Sequence, residues 1–123
     1  MDTRTFGVHL LRLSLAAMFL WFGFSQLLDG LNWVDWVPSW AVDLLHMPPA
    51  MIVLLNGAAE VVGGVLLATG VFVRPVAILL GIHLAIITVD IGMNAIGVRD
   101  FALTGATLAL ALLSGTQKNK DAP

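Results

Sequence analysis

The sequence contains no cysteine, and only 11% of its 123 residues are charged. The lack of thiols excludes disulfides, thiol–disulfide relays and thiolate metal sites within this chain. The net charge of −2 gives no electrostatic basis for binding nucleic acid. A soluble domain carries about 25% charged residues, so this chain has too few charges for that class.

Apolar residues are correspondingly abundant, at 59% of the chain with a mean hydropathy of +0.93. A soluble chain this short could not bury so much apolar surface in its own core, which indicates a lipid bilayer as the solvent. The apolar runs predict four spans, at residues 7–28, 51–73, 75–91 and 97–115, with a polar tail at 116–123. A three-span alternative would need one of the last two to be re-entrant. The predicted fold is therefore a single-domain, all-α, integral membrane four-helix bundle.

The distribution of basic residues predicts the orientation of these spans. Asp2 stands where a signal peptide would be basic, and no small-residue cleavage site follows the first apolar run, so we expect a retained helix. The first connection, residues 29–49, has no lysine or arginine, whereas both termini and the second connection do. This pattern predicts a multi-pass plasma membrane protein with cytoplasmic N- and C-termini.

The first connection also carries an amphipathic pattern over about residues 33–47. Trp33, Trp36 and Trp40 recur at spacings of three and four, which predicts a short interfacial helix that Pro38 divides or restarts. This segment could act as a lid over an outward-facing cavity. We favour a role as an interfacial anchor, because tryptophan belts are general in membrane proteins.

Polar residues inside the spans fall into two layers. Glu60, His83, Asn56 and Asp90 form a predicted intramembrane polar site, since Asn56 and Glu60 share one helix face and His83 and Asp90 share another. A predicted outer polar rim consists of Gln26, Asn94, Arg99 and Asp100. A lone carboxylate at the bilayer centre costs about 2.5–3.5 kcal/mol. We therefore expect Glu60 to pair with His83, and Arg99 with Asp90 or Asp100.

Each of these groups also has a purely structural interpretation. Glu60 and His83 could be hydrogen-bonded groups that only lock helix packing. The other two histidines, His9 and His46, are predicted at opposite interfaces, so we expect no metal site. Glycines in the second span, and Gly105 four residues before Ala109, predict close helix–helix contacts and leave contact with a second copy of the chain open.

Three segments resemble the DoxX family of small four-helix membrane proteins. They are "FGFSQLLDG" (22–30), "EVVGGVLLATGVFVRPVAILL" (60–80) and "VRDFALTGATLALAL" (98–112), which occur in the family's order. The family often has lysine where this chain has Gln26, which puts in doubt any role that needs a positive charge there. The resemblance implies a subunit of a quinone-linked oxidation system, or a membrane anchor in an oxidoreductive complex.

Three functions follow from the polar site and this resemblance. The first is a membrane subunit of a quinone-linked oxidoreductase system, in which Glu60 and His83 contact a quinone or relay protons. The chain has no ligand set for an intrinsic electron carrier, so membrane or peripheral partner subunits would supply electrons, and we assign no catalytic residue. The second function is a non-catalytic anchor or assembly factor, and the third is a small transporter. An accessory subunit is favoured over an enzyme acting alone.

Overall fold

The fold is formed by four long helices, with two short helices in the connection between the first two long ones. A computed structural model describes residues 2–91 and 94–121. Its elements are α1 (Thr3–Leu28), a 3-10 helix (Gly30–Trp36), α2 (Ser39–Leu45), α3 (Pro49–Thr69), α4 (Val73–Ile91) and α5 (Ala95–Asp121). Within the described residues, α1, α3, α4 and α5 are long and apolar enough to cross a membrane. The predicted fold class, an all-α membrane four-helix bundle, is confirmed.

The boundary between α3 and α4 differs from the predicted one. Gly70 adopts a left-handed conformation with φ of 77°, and Phe72 also has a positive φ of 52°. The Gly70 N–H caps the carbonyls of Leu66 and Leu67, which ends α3 at Thr69 instead of residue 73. The next helix starts at Val73, so Pro75 lies in its first turn, where proline is tolerated.

The first connection is two short helices, divided at Pro38 as the sequence predicts. Pro38 has an extended backbone, with φ of −70° and ψ of 146°, and it separates the 3-10 helix from α2. His46 then ends α2 in a left-handed conformation with φ of 53°. We call residues 30–45, which comprise the 3-10 helix and α2, the cap, and we call the end of the bundle that bears them the cap end.

The last helix is longer than the predicted span. It continues through Asp121, so most of the residues predicted as a tail, 116–123, extend α5. Residues 122 and 123 lie outside the described part of the chain, as do residues 92 and 93 between α4 and α5.

The bundle is organised as two helix pairs, α1 with α3 and α4 with α5. In the first pair, a Cβ atom added to Gly57 would lie 2.9 Å from the carbonyl oxygen of Gly23. In the second pair, a Cβ added to Gly81 would lie 2.5 Å from Leu108 Cδ2. Gly105, by contrast, has no atom of the described residues within 4 Å of such a Cβ, so the close helix contact predicted at Gly105 does not form among the described residues.

The apolar core fills the end of the bundle opposite the cap. It is built from α1 between Val8 and Phe19, the end of α3, α4 between Ala77 and Leu84, and the second half of α5. Its most buried members are Ala16, Phe19, Leu67, Ala77 and Leu110. Packing of these side chains leaves the open interior at the cap end, where the polar residues lie.

Candidate functional site beneath the cap

The close crossing of α1 and α3 places three polar residues together. Gly23 and Gly57 are in backbone contact at this crossing. Gln26 is three residues after Gly23, while Asn56 and Glu60 lie one residue before and three after Gly57. Since residues three or four apart share a helix face, Gln26 lies on the Gly23 face of α1 and Glu60 on the Gly57 face of α3. Asn56 is one turn before Glu60, and its amide reaches both Gln26 and Glu60.

Glu60 is the centre of a buried hydrogen-bond network. Gln26 Nε2 donates to Glu60 Oε2 at 3.1 Å, and Asn56 Nδ2 donates to Glu60 Oε1 at 3.3 Å. Asn56 Nδ2 also donates to Gln26 Oε1 at 2.6 Å. Glu60 is 5% exposed and Gln26 is 6% exposed. Both carboxyl oxygens therefore accept from amide groups of neighbouring side chains.

Gln26 therefore lies in the buried group and not in the predicted outer rim. The prediction placed it by its distance from the end of the first span. The structure places it one turn from the α1–α3 crossing, where its amide reaches Glu60.

His83 approaches the same carboxyl group from α4. Its Nε2 atom lies 3.6 Å from Glu60 Oε1, within ion-pair range but too long for a hydrogen bond. This nitrogen is buried and has no hydrogen-bond partner among the described residues. Most buried polar atoms in proteins are paired. An unpaired one beside a carboxyl group is a site that a ligand's polar atom could satisfy.

A cavity of about 610 Å³ opens directly over this polar group. Such a volume falls in the range of about 300–1,000 Å³ that is usual for small-molecule sites. Gln26, Asn56, Glu60 and His83 line the cavity, and we call these four residues its polar floor. Its walls are mainly aromatic and aliphatic, and include Phe22, Trp33, Trp36, Trp40, Leu84 and Ile87. An apolar cavity with a few convergent polar groups at one point suits an apolar ligand with a polar head.

Arg99 and Asp100 form a second polar pair on the cavity wall. Arg99 Nη2 and Nε lie 3.1 and 3.2 Å from Asp100 Oδ1. The Arg99 guanidinium also stands over the Phe22 ring, 5.1 Å from its centroid. Asp100 is buried, whereas the Arg99 side chain is half-exposed. Of the two expected partners of Arg99, the structure selects the adjacent carboxylate.

Asp90 and Asn94 do not join the Glu60 group. Asp90 Oδ1 accepts a hydrogen bond from Trp40 Nε1 at 3.2 Å, so it is a partner of the cap. Asn94 Oδ1 accepts from the Gly97 N–H at 2.8 Å and caps the start of α5. Asp90 nevertheless lines the larger cavity together with Glu60. Both Asp90 and Asn94 line a smaller, more polar cavity of about 380 Å³ beside the cap residues Trp36 and Trp40.

The cap is attached to both helix pairs through its tryptophans. Trp33 Nε1 donates to Ser25 Oγ on α1 at 3.1 Å, and Trp40 Nε1 donates to Asp90 on α4 at 3.2 Å. Trp33, Trp36 and Trp40 all line the larger cavity. This placement gives the lid interpretation a structural basis, while the interfacial anchor role of the three tryptophans stays a prediction.

Two residues of the site were missed by the sequence analysis. Phe22 contacts Trp33 in an edge-to-face arrangement with ring centroids 5.8 Å apart, and it lies beneath Arg99. Ser25 holds Trp33 by its hydroxyl group. Their positions in the sequence could have indicated them. Phe22 is one turn before Gln26, and Ser25 is a polar neighbour of Gln26 in an otherwise apolar run.

No cluster of three His, Cys, Asp or Glu side chains that could hold a metal ion occurs within residues 2–91 and 94–121. The candidate site is thus a polar floor beneath apolar walls. Together with the four membrane-length helices, it defines a multi-pass membrane protein with an internal, ligand-sized cavity.

The family model of DoxX matches residues 7–93, and the chain belongs to the DoxX family. The match includes Gln26, Asn56, Glu60 and His83, while Arg99 and Asp100 follow it. No curated protein and no solved structure matches the chain.

Proposed function

We propose that this protein is a membrane subunit of a quinone-linked oxidoreductase system and that it binds the quinone in the cavity beneath the cap. One observation carries the proposal. The buried, unpaired Nε2 of His83 lies beside Glu60 at the floor of an apolar, aromatic-walled cavity. A quinone has a flat apolar ring and polar oxygens at its edge, which suits such a floor and such walls.

Glu60 and His83 have complementary roles in this proposal. His83 Nε2, when protonated, donates to an oxygen of the head group. Glu60 accepts from two amides, and it is the group that can take a proton from a hydroxyl or pass one to His83. A bound quinone supplies two-electron, two-proton redox chemistry. Electrons come from a membrane or peripheral partner subunit, because the chain itself holds no electron-carrier ligand set.

The protein acts in the plasma membrane with both termini cytoplasmic under this proposal. Basic residues near both termini and at Arg74, against the three aspartates of residues 29–49, support that orientation. The cavity then opens on the outer side of the membrane, beneath the cap.

The first experiment is purification of the full chain from its native membranes in mild detergent, with mass spectrometry of bound lipids and proteins. We expect a stoichiometric quinone and at least one oxidoreductase subunit. Decylubiquinone titrated into the purified protein should quench the fluorescence of the tryptophans that line the cavity. Absence of bound quinone together with absence of quenching would overturn the proposal.

A non-catalytic anchor or assembly factor is the second candidate, and the Glu60 network favours it. Gln26 on α1 is bonded to Asn56 and Glu60 on α3, so the same residues join two helices. Oxidoreductase partners without any quinone in the purified material would favour this role. A transporter has less support, because the core fills the end opposite the cap.

A further inference from the structure

Contacts between neighbouring helices border the cavity on three of its sides. Between α1 and α3, Gly23 and Gly57 are in backbone contact. Between α1 and α5, the Arg99 guanidinium stands over Phe22. Between α4 and α5, the hydroxyls of Thr88 and Thr104 are 3.5 Å apart.

The fourth side, between α3 and α4, is packed only up to the polar floor. A Cβ added to Gly63 would lie 3.0 Å from Leu80 Cδ1, so the two helices are tightly packed at that level. One turn nearer the cap, Glu60 and His83 face each other at 3.6 Å. These contacts place the floor of the cavity at the point where close packing of α3 on α4 ends.

On the cap side of the floor, some side chains of α3 and α4 line the cavity and are also exposed on the surface of the bundle. Leu55 on α3 is 50% exposed and Ile86 on α4 is 49% exposed, and both line the cavity. Leu44 and Leu45 of α2 line it above them and are exposed as well. Aliphatic side chains at membrane depth that border both a cavity and the bundle surface form a passage suited to an acyl or prenyl chain.

The cap separates the cavity from the aqueous side. Trp33 is bonded to α1 and Trp40 to α4, so the cap spans the cavity mouth from one helix pair to the other. A ligand that came from water would have to displace both bonds. A ligand dissolved in the bilayer meets only aliphatic side chains on the α3–α4 side.

We propose that the gap between Leu55 and Ile86 is a lateral portal to the bilayer. The ligand is a lipid-borne quinone, whose head group lies at Glu60 and His83 and whose apolar tail passes out between α3 and α4. This inference rests on the proposed function and narrows it, because it requires a quinone with a tail.

The absence of cysteine allows the portal to be blocked at one chosen position. Ile86→Cys places a thiol in the portal, and Ile82→Cys places one on the same helix at an equally exposed position, 51%, that does not line the cavity. Each purified variant is alkylated with N-cyclohexylmaleimide, which attaches a bulky apolar group. Binding is then measured by quenching of tryptophan fluorescence.

Two quinones with the same head group distinguish the contribution of the tail to binding from that of the head group. Decylubiquinone has a ten-carbon tail, and 2,3-dimethoxy-5-methyl-1,4-benzoquinone has none. We expect alkylation of Ile86→Cys to raise the Kd of decylubiquinone at least about tenfold, equivalent to about 1.4 kcal/mol. The Kd of the tail-less quinone should stay within about twofold of the unmodified variant. Alkylation of Ile82→Cys should change neither Kd.

The outcomes distinguish the portal from the proposed function. Unchanged binding of decylubiquinone after alkylation of Ile86→Cys, or an equal loss of both quinones, would overturn the portal while leaving a quinone site in place. Failure of the unmodified protein to bind either quinone would overturn the proposed function, and the portal with it. Should Ile86→Cys fail to fold, Leu55→Cys with Val62→Cys as its control tests the opposite wall, since Val62 is exposed but does not line the cavity.

Discussion

His83 Nε2 lies 3.6 Å from Glu60 Oε1, buried and without a hydrogen-bond partner among the described residues, while Gln26 donates to the other carboxyl oxygen, Oε2. The carboxyl group thus has amide donors from α1 and α3 and an imidazole from α4. The relationship joins the two helix pairs at the floor of the cavity. Within this polar group, His83 Nε2 is the buried nitrogen that makes no hydrogen bond to a described residue.

Replacing His83 should weaken quinone binding more than it weakens the fold. His83→Leu removes the unpaired nitrogen but breaks no hydrogen bond, so we expect a thermal unfolding temperature close to that of the wild type. The Kd for decylubiquinone should rise about tenfold, since leaving a buried polar atom of the ligand without its hydrogen-bond partner costs about 1–3 kcal/mol. Fluorescence quenching and thermal unfolding in the same detergent measure the two effects.

His46→Asn is the control for His83→Leu, because His46 is exposed at the end of α2, does not line the cavity, and has a left-handed backbone that asparagine tolerates. Equal effects of the two substitutions on the Kd would remove His83 from the ligand site. A large fall in the unfolding temperature of His83→Leu alone would instead assign His83 to packing.

Replacing Asn56 should destabilise the α1–α3 pair. Asn56→Leu removes the donor shared by Gln26 Oε1 and Glu60 Oε1, and it leaves buried acceptors unpaired. The expected loss in the free energy of unfolding is about 1–3 kcal/mol. Equilibrium unfolding in mixed detergent micelles measures this loss.

Asn32→Leu serves as the comparison for Asn56→Leu, since Asn32 is an exposed residue of the cap that is hydrogen-bonded to Asp29. A smaller loss for Asn56→Leu than for Asn32→Leu would contradict the buried network as a source of stability. Combining Asn56→Leu with Gln26→Leu should cost less than the sum of the two, because both substitutions disrupt one network.

The close crossing of α1 and α3 predicts how glycine-to-alanine substitutions change stability. Gly57→Ala places a Cβ 2.9 Å from the Gly23 carbonyl oxygen, so the helices must separate, and overpacking of this kind costs about 1–3 kcal/mol. Gly105→Ala meets open space and gains helix propensity, so it should be neutral or stabilising by up to about 1 kcal/mol. Thermal unfolding of both variants should give shifts of opposite sign, or a shift for Gly57→Ala alone. A neutral Gly57→Ala would refute the close crossing.

The contrast between Gly57 and Gly105 also explains how far the sequence could lead. Apolar runs and their lengths indicated four spans, because the requirement to satisfy the backbone in lipid leaves few alternatives. Both glycines looked alike in sequence, yet only one faces a neighbouring helix. Helix rotation decides that, and it depends on packing between distant segments.

Helix orientation also explains why the predicted grouping of the polar residues differs from the observed one. Depth along the spans brought Glu60 and His83 to one level, and they do face each other in the structure. Depth alone also placed Gln26 in the rim, because sequence gives a side chain's level but not the tilt of its helix. The cap's bonds to Ser25 and Asp90 depend on how the cap folds at Pro38, which periodicity could not determine.

The cap should loosen when its bond to α4 is removed. Trp40→Phe keeps the aromatic ring but loses the Nε1–H that donates to Asp90. We expect faster amide hydrogen exchange over residues 30–45, because one of the cap's two tryptophan hydrogen bonds to the long helices is gone. Trp21→Phe is the control, since Trp21 is exposed on α1 and does not line the cavity. Equal exchange in the two variants would show that the Trp40 bond does not restrain the cap.

The final prediction concerns the pair on the cavity wall, Arg99 and Asp100. Asp100 is 5% exposed, and Arg99 is its cationic neighbour at 3.1 Å. Arg99→Leu leaves a buried carboxylate without its charge partner and also removes the cation from the face of Phe22. We expect a loss of about 1–3 kcal/mol in the free energy of unfolding. This is less than the about 3–5 kcal/mol typical of a broken buried pair, because the Arg99 side chain is half-exposed.

Removing both charges should restore part of that loss. In Arg99→Leu/Asp100→Leu no carboxylate is left unpaired, so the double variant should be more stable than Arg99→Leu alone. The free energy of unfolding, measured for both variants in the same micelles, gives the difference directly. A double variant less stable than Arg99→Leu would mean that Asp100 stabilises the fold without its neighbour. Asp100 would then need another partner on the cavity wall, and its pairing with Arg99 would be incidental.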